Sequence, residues 1–428
     1  MNLDRTGTDR TGTDRTTTDH TNSSTVDADQ LSAVEKRVRA ALASVIDPEI
    51  RRPITELDMV ESVVGHTNGR VTVGIRLTVV GCPAAQRIET EVRQAAEKVV
   101  GVGFADVTLG VMTSEQRAAL IERLRGGRAV RSIPFGPDSL TRVIVVTSGK
   151  GGVGKSTVTA NLAVALAARG LRVGLIDADI HGFSIPGLLG MVDATGIAPQ
   201  PTRLNDLMLP PVAHGVKVIS IGMFLERSTP DPPVGSALPS SARAAATAVA
   251  WRGPMLHRTL TTFLTEVYFG DLDILLLDMP PGTGDVAISL GQLLPHAEVI
   301  IVTTPQPAAA EIAERSGVLA RQTGQHIVGV IETMSAFIPP GGGAAVELFG
   351  AGGGALLAER LSAGQDVAVP LLASVPLSIG LREGGDQGVP IVLSTPNDPA
   401  ARVLTATATA LTALGRNLSG RHLPLNLL

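Results

Sequence analysis

The residues best equipped for chemistry are Gly149-Lys150-Gly151-Gly152-Val153-Gly154-Lys155-Ser156. Glycines at this density leave backbone N–H groups unscreened, and a helix opening near Lys155 adds its positive dipole end, so the natural ligand is a phosphate group. Within such a cradle Lys155 reaches the β- and γ-phosphates of a nucleotide and the Ser156 hydroxyl meets Mg²⁺, with Thr157 completing the set of cofactor-binding residues. Val143-Ile144-Val145-Val146 supplies the strand that must precede the loop, and residues 156–168 supply the helix that must follow it.

Two further segments carry carboxylates to strand ends. Leu171 to Ile176 runs into Asp177-Ala178-Asp179, where Asp179 is the candidate to position an attacking water and Asp177 to organise the Mg²⁺ shell. Asp273-Ile274-Leu275-Leu276-Leu277-Asp278 is an apolar strand ending in an acid, and Asp278 is the candidate metal contact. Met279-Pro280-Pro281-Gly282-Thr283-Gly284-Asp285 then follows as a glycine-hinged loop able to sense a γ-phosphate. Together these predict a nucleoside triphosphate hydrolase using Mg²⁺, with positioning and charge stabilisation as its catalytic means.

The elements that position these groups are legible from residue 141 onward. Short apolar runs at residues 142–147, 172–176, 216–221, 274–277, 298–303, 327–331 and 371–375 alternate with helix-length segments, the pattern of a mainly parallel sheet covered on both faces. The fold class is therefore α/β, a P-loop NTPase domain preceded by a small α+β domain. In that smaller domain the order is a helix over 28–45, strands near 60–64 and 71–79 joined by a Thr67-Asn68-Gly69-Arg70 hairpin signal, a helix over 84–99, a strand over 105–111 and a helix over 114–124. The domain bounds so predicted are a disordered tail over 1–28, the small domain over 29–126, a Gly/Pro-punctuated linker over 127–140, the ATPase domain over 141–416 and a tail over 417–428. The first tail repeats Asp-Arg-Thr-Gly-Thr from Asp4 and Asp9, with almost nothing apolar to bury.

Composition narrows the partners. With 428 residues, 44% of them hydrophobic, the chain has ample core for more than one domain. A net charge of −4 and 2% aromatics leave neither a basic excess for phosphate backbones nor stacking platforms, so nucleic acid is not an expected partner. No run approaches the ~20 apolar residues of a membrane span, and the expectation is a cytoplasmic protein without a membrane partner. The eight histidines form no pair at helical spacing, and His181 in the loop after Asp179 reads as structural or solvated. Cys82 is the single cysteine, which rules out an internal disulfide and any multi-thiolate site within one chain.

The extra lysine, Lys150, makes the loop resemble that of the deviant-Walker ATPases, whose additional lysine crosses to the partner's nucleotide; by that resemblance Lys150 joins Lys155 and Asp179 as a catalytic residue of a homodimer. More specifically, residues 177–186, Trp251-Arg252-Gly253-Pro254-Met255, residues 278–285 and Arg382-Glu383-Gly384-Gly385-Asp386 resemble the Mrp/ApbC iron–sulfur cluster carrier ATPases. Asp47-Pro48-Glu49 and Gly81-Cys82-Pro83 are similar to the small iron–sulfur assembly domain fused to many of them. The resemblance implies a dimer that binds ATP and passes clusters to apo client proteins or works with assembly factors.

Two departures qualify it. Family members carry a Cys-x-x-Cys pair after the Met-Ser dipeptide, whereas Met334-Ser335-Ala336-Phe337 is followed here by Ile338-Pro339-Pro340-Gly341-Gly342, with Pro339 and Gly342 at the ligand positions. Cys82 is then the one candidate iron–sulfur ligand, set against a reading as a small buried hydrophobe. Thr333 stands where the family commonly has an adenine-contacting asparagine, and a hydroxyl lacks the paired donor and acceptor of an amide. The alternatives are an ATP-switched adaptor that carries no cluster, and a positioning or partitioning ATPase of the same P-loop class. The latter calls for a basic surface or terminal helix, yet residues 400–414 carry Arg402 as their sole charge.

Overall fold

The computed structural model describes residues 21–127, 132–180, 182–224, 253–339 and 343–414. Trp251, Arg252, His181, Pro340, Gly341, Gly342 and the repeat at residues 4–18 lie outside the described residues. The chain divides into two compact units, one running through Asp47 and resuming over Arg51–Ser114, the other comprising Pro48–Ile50 and everything from Glu115 on.

The first unit contains α1 (Thr21–Ala41), β1 (Val60–Gly65), β2 (Arg70–Leu77), α2 (Ala85–Glu97) and β3 (Phe104–Val111). Gly69, at φ +75°, turns the chain from β1 into antiparallel β2, and α2 provides the crossover that parallel β3 requires. Alternation sets the core: Val71, Val73, Ile75 and Leu77 share one face of β2 and are buried. On α2 the buried stripe is Ile88, Val92, Ala95 and Ala96, one face of a 3.6-residue repeat. Helix α1 begins at Thr21 rather than at Ala28. Once a helix is nucleated each added residue gains a backbone hydrogen bond, so polar residues extend it without any hydrophobic signal.

The second unit opens with α3 (Ser114–Arg125), apart from its first residue, and is organised around an eight-stranded sheet. Its strands are β4 (Arg142–Ser148), β5 (Val173–Asp177), β8 (Val212–Ala213), β9 (Val216–Ser220), β10 (Ile274–Asp278), β11 (Glu298–Thr303), β12 (His326–Phe337) and β13 (Leu371–Leu377). A separate hairpin, β6 (Thr202–Leu204) and β7 (Leu207–Leu209), stands outside it. Spatial order is β13-β12-β11-β4-β10-β5-β9-β8, parallel throughout except for the β8–β9 pair. Every residue of the central strands β4, β5, β9 and β10 is buried, because helices cover both of their faces. The α/β nucleotide-binding fold with a mainly parallel sheet is thus present. The three strands that sequence patterning passes over, β6 to β8, are two or three residues long and too short for any alternation to register.

The helices are α4 (Lys155–Ala168), α5 (Ile185–Leu188), α6 (Gly253–Glu266), α7 (Asp285–Leu293), α8 (Pro307–Gln322), α9 (Gly353–Ser362), α10 (Ile379–Gln387), α11 (Ile391–Ser394) and α12 (Pro399–Ala413). No helix among the described residues is long and apolar enough to cross a membrane. Strand β4 is flanked by β10 on one side and β11 on the other, so the chain order reverses at β4, and the crevice at its carboxyl end is where such sheets take ligands. At the opposite end, Arg142 donates from Nε to Glu298 Oε2 at 2.6 Å and caps the Leu411 carbonyl at the end of α12, which ties the last helix to the sheet. Because Arg142 is buried, Glu298→Ala should strand its charge and lower stability by about 3 kcal/mol, measurable as a shift in the denaturation midpoint.

Candidate functional site

Three adjacent strands end in polar residues held level by the sheet register. Asp278 on β10 is the register partner of Asp177 on β5, and Asp177 in turn is that of Ser220 on β9. All three are fully buried, so an apolar sheet delivers a row of polar groups to one edge of the crevice. The glycine-rich loop leaves β4 beside them and returns as α4.

The loop's shape explains its glycines. A Cβ on Gly149 would lie 2.4 Å from the backbone nitrogen of Ala313 and 2.6 Å from the Ile312 carbonyl carbon, so α8 packs on the loop at a distance only glycine allows. Gly154 adopts φ +83°, the left-handed conformation that turns the chain into α4. Val153 is buried, and its carbonyl accepts a 2.6 Å hydrogen bond from Thr333 Oγ1, whose oxygen is also 3.0 Å from the Thr303 carbonyl. Thr333 is 5% exposed, with its hydroxyl committed to the underside of the loop.

Lys155 is buried between two acids. Its Nζ lies 2.8 Å from Asp278 Oδ2 and 3.7 Å from Asp179 Oδ2. The Ser156 hydroxyl donates to the same Asp278 oxygen at 2.6 Å, while Thr159 Oγ1 is 2.8 Å from Asp278 Oδ1. A carboxylate surrounded by an ammonium and two hydroxyls satisfies both partners of a buried ion pair, which an apolar interior otherwise penalises. Ser156 Oγ and Asp278 Oδ2 are hard oxygen donors converging on one point, a donor chemistry that fits Mg²⁺.

Asp177 is engaged differently. Its Oδ2 accepts from Ser220 Oγ at 2.9 Å and from the Ile185 amide at 3.3 Å, and its Oδ1 accepts from the Asp179 amide at 3.2 Å. Burial, and then the negative charge of Asp278, push its carboxyl up to about 8. Asp179 accepts from the Gly182 amide at 3.1 Å, which fixes the turn that carries it. Lys150 is half-exposed, and its side chain makes no hydrogen bond or ion pair among the described residues. Thr157 is half-buried, with its carbonyl bound by Asn161 Nδ2 at 2.9 Å.

The second unit thus brings together Gly149 to Thr157, Asp177, Asp179 and Asp278. Cys82 belongs to the other unit, where it is 6% exposed in the turn preceding α2. Among the described residues no group of three or more His, Cys, Asp or Glu side chains is placed to hold a metal. Pro339 is half-buried just past β12, and Arg382 on α10 pairs with Glu383 and Asp386. Sequence reading misses Thr159 and Ser220, since a lone hydroxyl carries no pattern. Thr159 was reachable through its spacing: one turn beyond Lys155, it shares that residue's helix face.

Residues 139–412 match the family described as NUBPL iron-transfer P-loop NTPase, and residues 35–107 match the iron–sulfur cluster assembly protein family. The iron–sulfur cluster carrier protein of Mycobacterium tuberculosis is 51% identical over 405 residues, covering 94% of this chain and 99% of that protein. The iron–sulfur cluster carrier protein of Bacillus subtilis is 37% identical, covering 80% of this chain and 88% of that protein. A nucleotide-binding protein in complex with ADP from Archaeoglobus fulgidus is 32% identical, with 58% of this chain and 86% of that one covered at a TM-score of 0.46.

Gly149→Ala should abolish ADP binding in calorimetry, because the added methyl meets helix backbone that cannot yield. A second expectation concerns pH. An acid whose pKa rises from 3.8 unfolded to about 8 folded binds an extra proton in the native state between those values, so stability falls as pH climbs through that window. Denaturation of the nucleotide-free protein across this range should show that slope, and Asp177→Asn should flatten it.

Proposed function

The chain belongs to the NUBPL iron-transfer P-loop NTPase family, and on that premise we propose that it is an ATP-hydrolysing carrier that delivers iron–sulfur clusters to apo client proteins. The observation that carries the ATPase half is the convergence of Lys155 and Ser156 on Asp278 beside the glycine loop. Phosphate entering the loop meets the amides at the start of α4 and draws Lys155 toward its β- and γ-oxygens. Ser156 and Asp278 would hold Mg²⁺, which supplies charge neutralisation between the phosphates when bound. Asp179, at the crevice edge, orients the attacking water. Asp177 works from behind it, holding the Asp179 amide and the start of α5.

Lys150 reaches a second protomer's nucleotide in a homodimer, a role supported by its half-exposed, unpaired ammonium among the described residues. Lys155→Ala should abolish ATP turnover, measured as released phosphate. Lys150→Ala should lose turnover together with ATP-dependent dimerisation in sedimentation, and a variant that dimerises and hydrolyses normally would end the two-lysine proposal.

Cargo is the less provided-for half of the reaction. One cysteine per chain brings two thiolates to a dimer, short of the four that a typical cluster takes, so the client or small thiols must complete the ligand set around Cys82. The burial of Cys82 favours a second reading, an ATP-switched adaptor that recruits assembly partners and holds no cluster. Anaerobic reconstitution with iron and sulfide separates the two: the carrier reading expects wild type to retain more metal than Cys82→Ser, and equal retention supports the adaptor.

A further inference from the structure

We infer that Thr159 is a positioning residue for the nucleotide-bound metal, holding the Asp278 carboxylate in its aim when Lys155 leaves it. Among the described residues Asp278 takes three side-chain hydrogen bonds, and all three come from α4. Two fall on Oδ2, from Lys155 and Ser156, and these are the groups that phosphate and magnesium would redirect. Thr159 alone among the described residues holds Oδ1, at 2.8 Å.

The terminal torsion of an aspartate is broad and intrinsically undirected, so a carboxylate stripped of its Oδ2 partners keeps its plane only through Oδ1. Thr159 is 0% exposed and Asp278 is 0% exposed, which leaves the Thr159 hydroxyl as the fixed side-chain partner once the other two turn away. That hydroxyl also lies 2.9 Å from the Lys155 carbonyl, the ordinary back-bond of a mid-helix threonine. It has one proton to give, and the charged carboxylate is the stronger acceptor.

The inference rests on the magnesium–nucleotide reading of the site, and one experiment distinguishes their failures. ADP binding is measured by calorimetry with magnesium and with a chelator, for wild type, Thr159→Val, Thr159→Ser and Thr159→Ala, with thermal unfolding as the check on folding. Magnesium should tighten ADP binding to wild type and Thr159→Ser alike. In Thr159→Val and Thr159→Ala that enhancement should shrink by about tenfold, the scale of one hydrogen bond to a charged acceptor, while binding in chelator stays at the wild-type level. Should the valine variant not fold, the serine–alanine comparison carries the same contrast. A full magnesium enhancement without the hydroxyl would overturn the role of Thr159, as would equal losses with and without magnesium. A wild type that binds ADP indifferently to magnesium would overturn the reading of the site itself.

Discussion

The buried carboxylate of Asp278 governs this ATPase unit. A negative charge at the end of an apolar strand is tolerable only if donors surround it, and among the described residues the first turns of α4 supply its side-chain donors: Lys155, Ser156 and Thr159. That requirement fixes the rotation and depth of α4 against β10, and so the direction of the helix amides and the shape of the loop before them. The site is in this sense pre-balanced, with Lys155 serving as counter-ion to Asp278. On the proposed function, nucleotide and metal would exchange one set of opposite charges for another, without leaving either partner uncompensated in the interior.

Support for the loop comes from elements far along the chain. Helix α8 touches Gly149 backbone to backbone, and β12 reaches up through Thr333 to hold the Val153 carbonyl. Thr333 therefore acts on loop geometry, a part that its comparison with a base-reading asparagine does not reveal. Just beyond it, Met334 adopts φ +55°, a strained conformation for a side-chain-bearing residue, where β12 leaves the site.

Membership of the iron-transfer family and a chain with one thiol pull in different directions. The glycine loop, Lys155, Ser156 and the strand-end acids lie together in one unit, whereas the single thiol, Cys82, is buried in the other. On the proposed function, hydrolysis is thus better provided for than cargo retention, and a carrier built this way would depend on its client for ligands.

Legibility in the sequence followed the range of the interactions involved. The glycine loop, the apolar strands ending in Asp177 and Asp278, and the alternation of strand and helix are local patterns, set by steric limits on phosphate approach and by burial of both sheet faces, and the chain alone determined them. Tertiary structure decided what those acids do. Asp177 and Asp278 look alike in sequence, each closing an apolar strand, yet register sets Asp177 against Ser220 and the start of α5 and sets Asp278 against α4. Thr159, Ser220 and Thr333 acquired roles only there, because a hydroxyl has no periodicity and gains meaning solely from the buried acceptor that folding brings within hydrogen-bond distance.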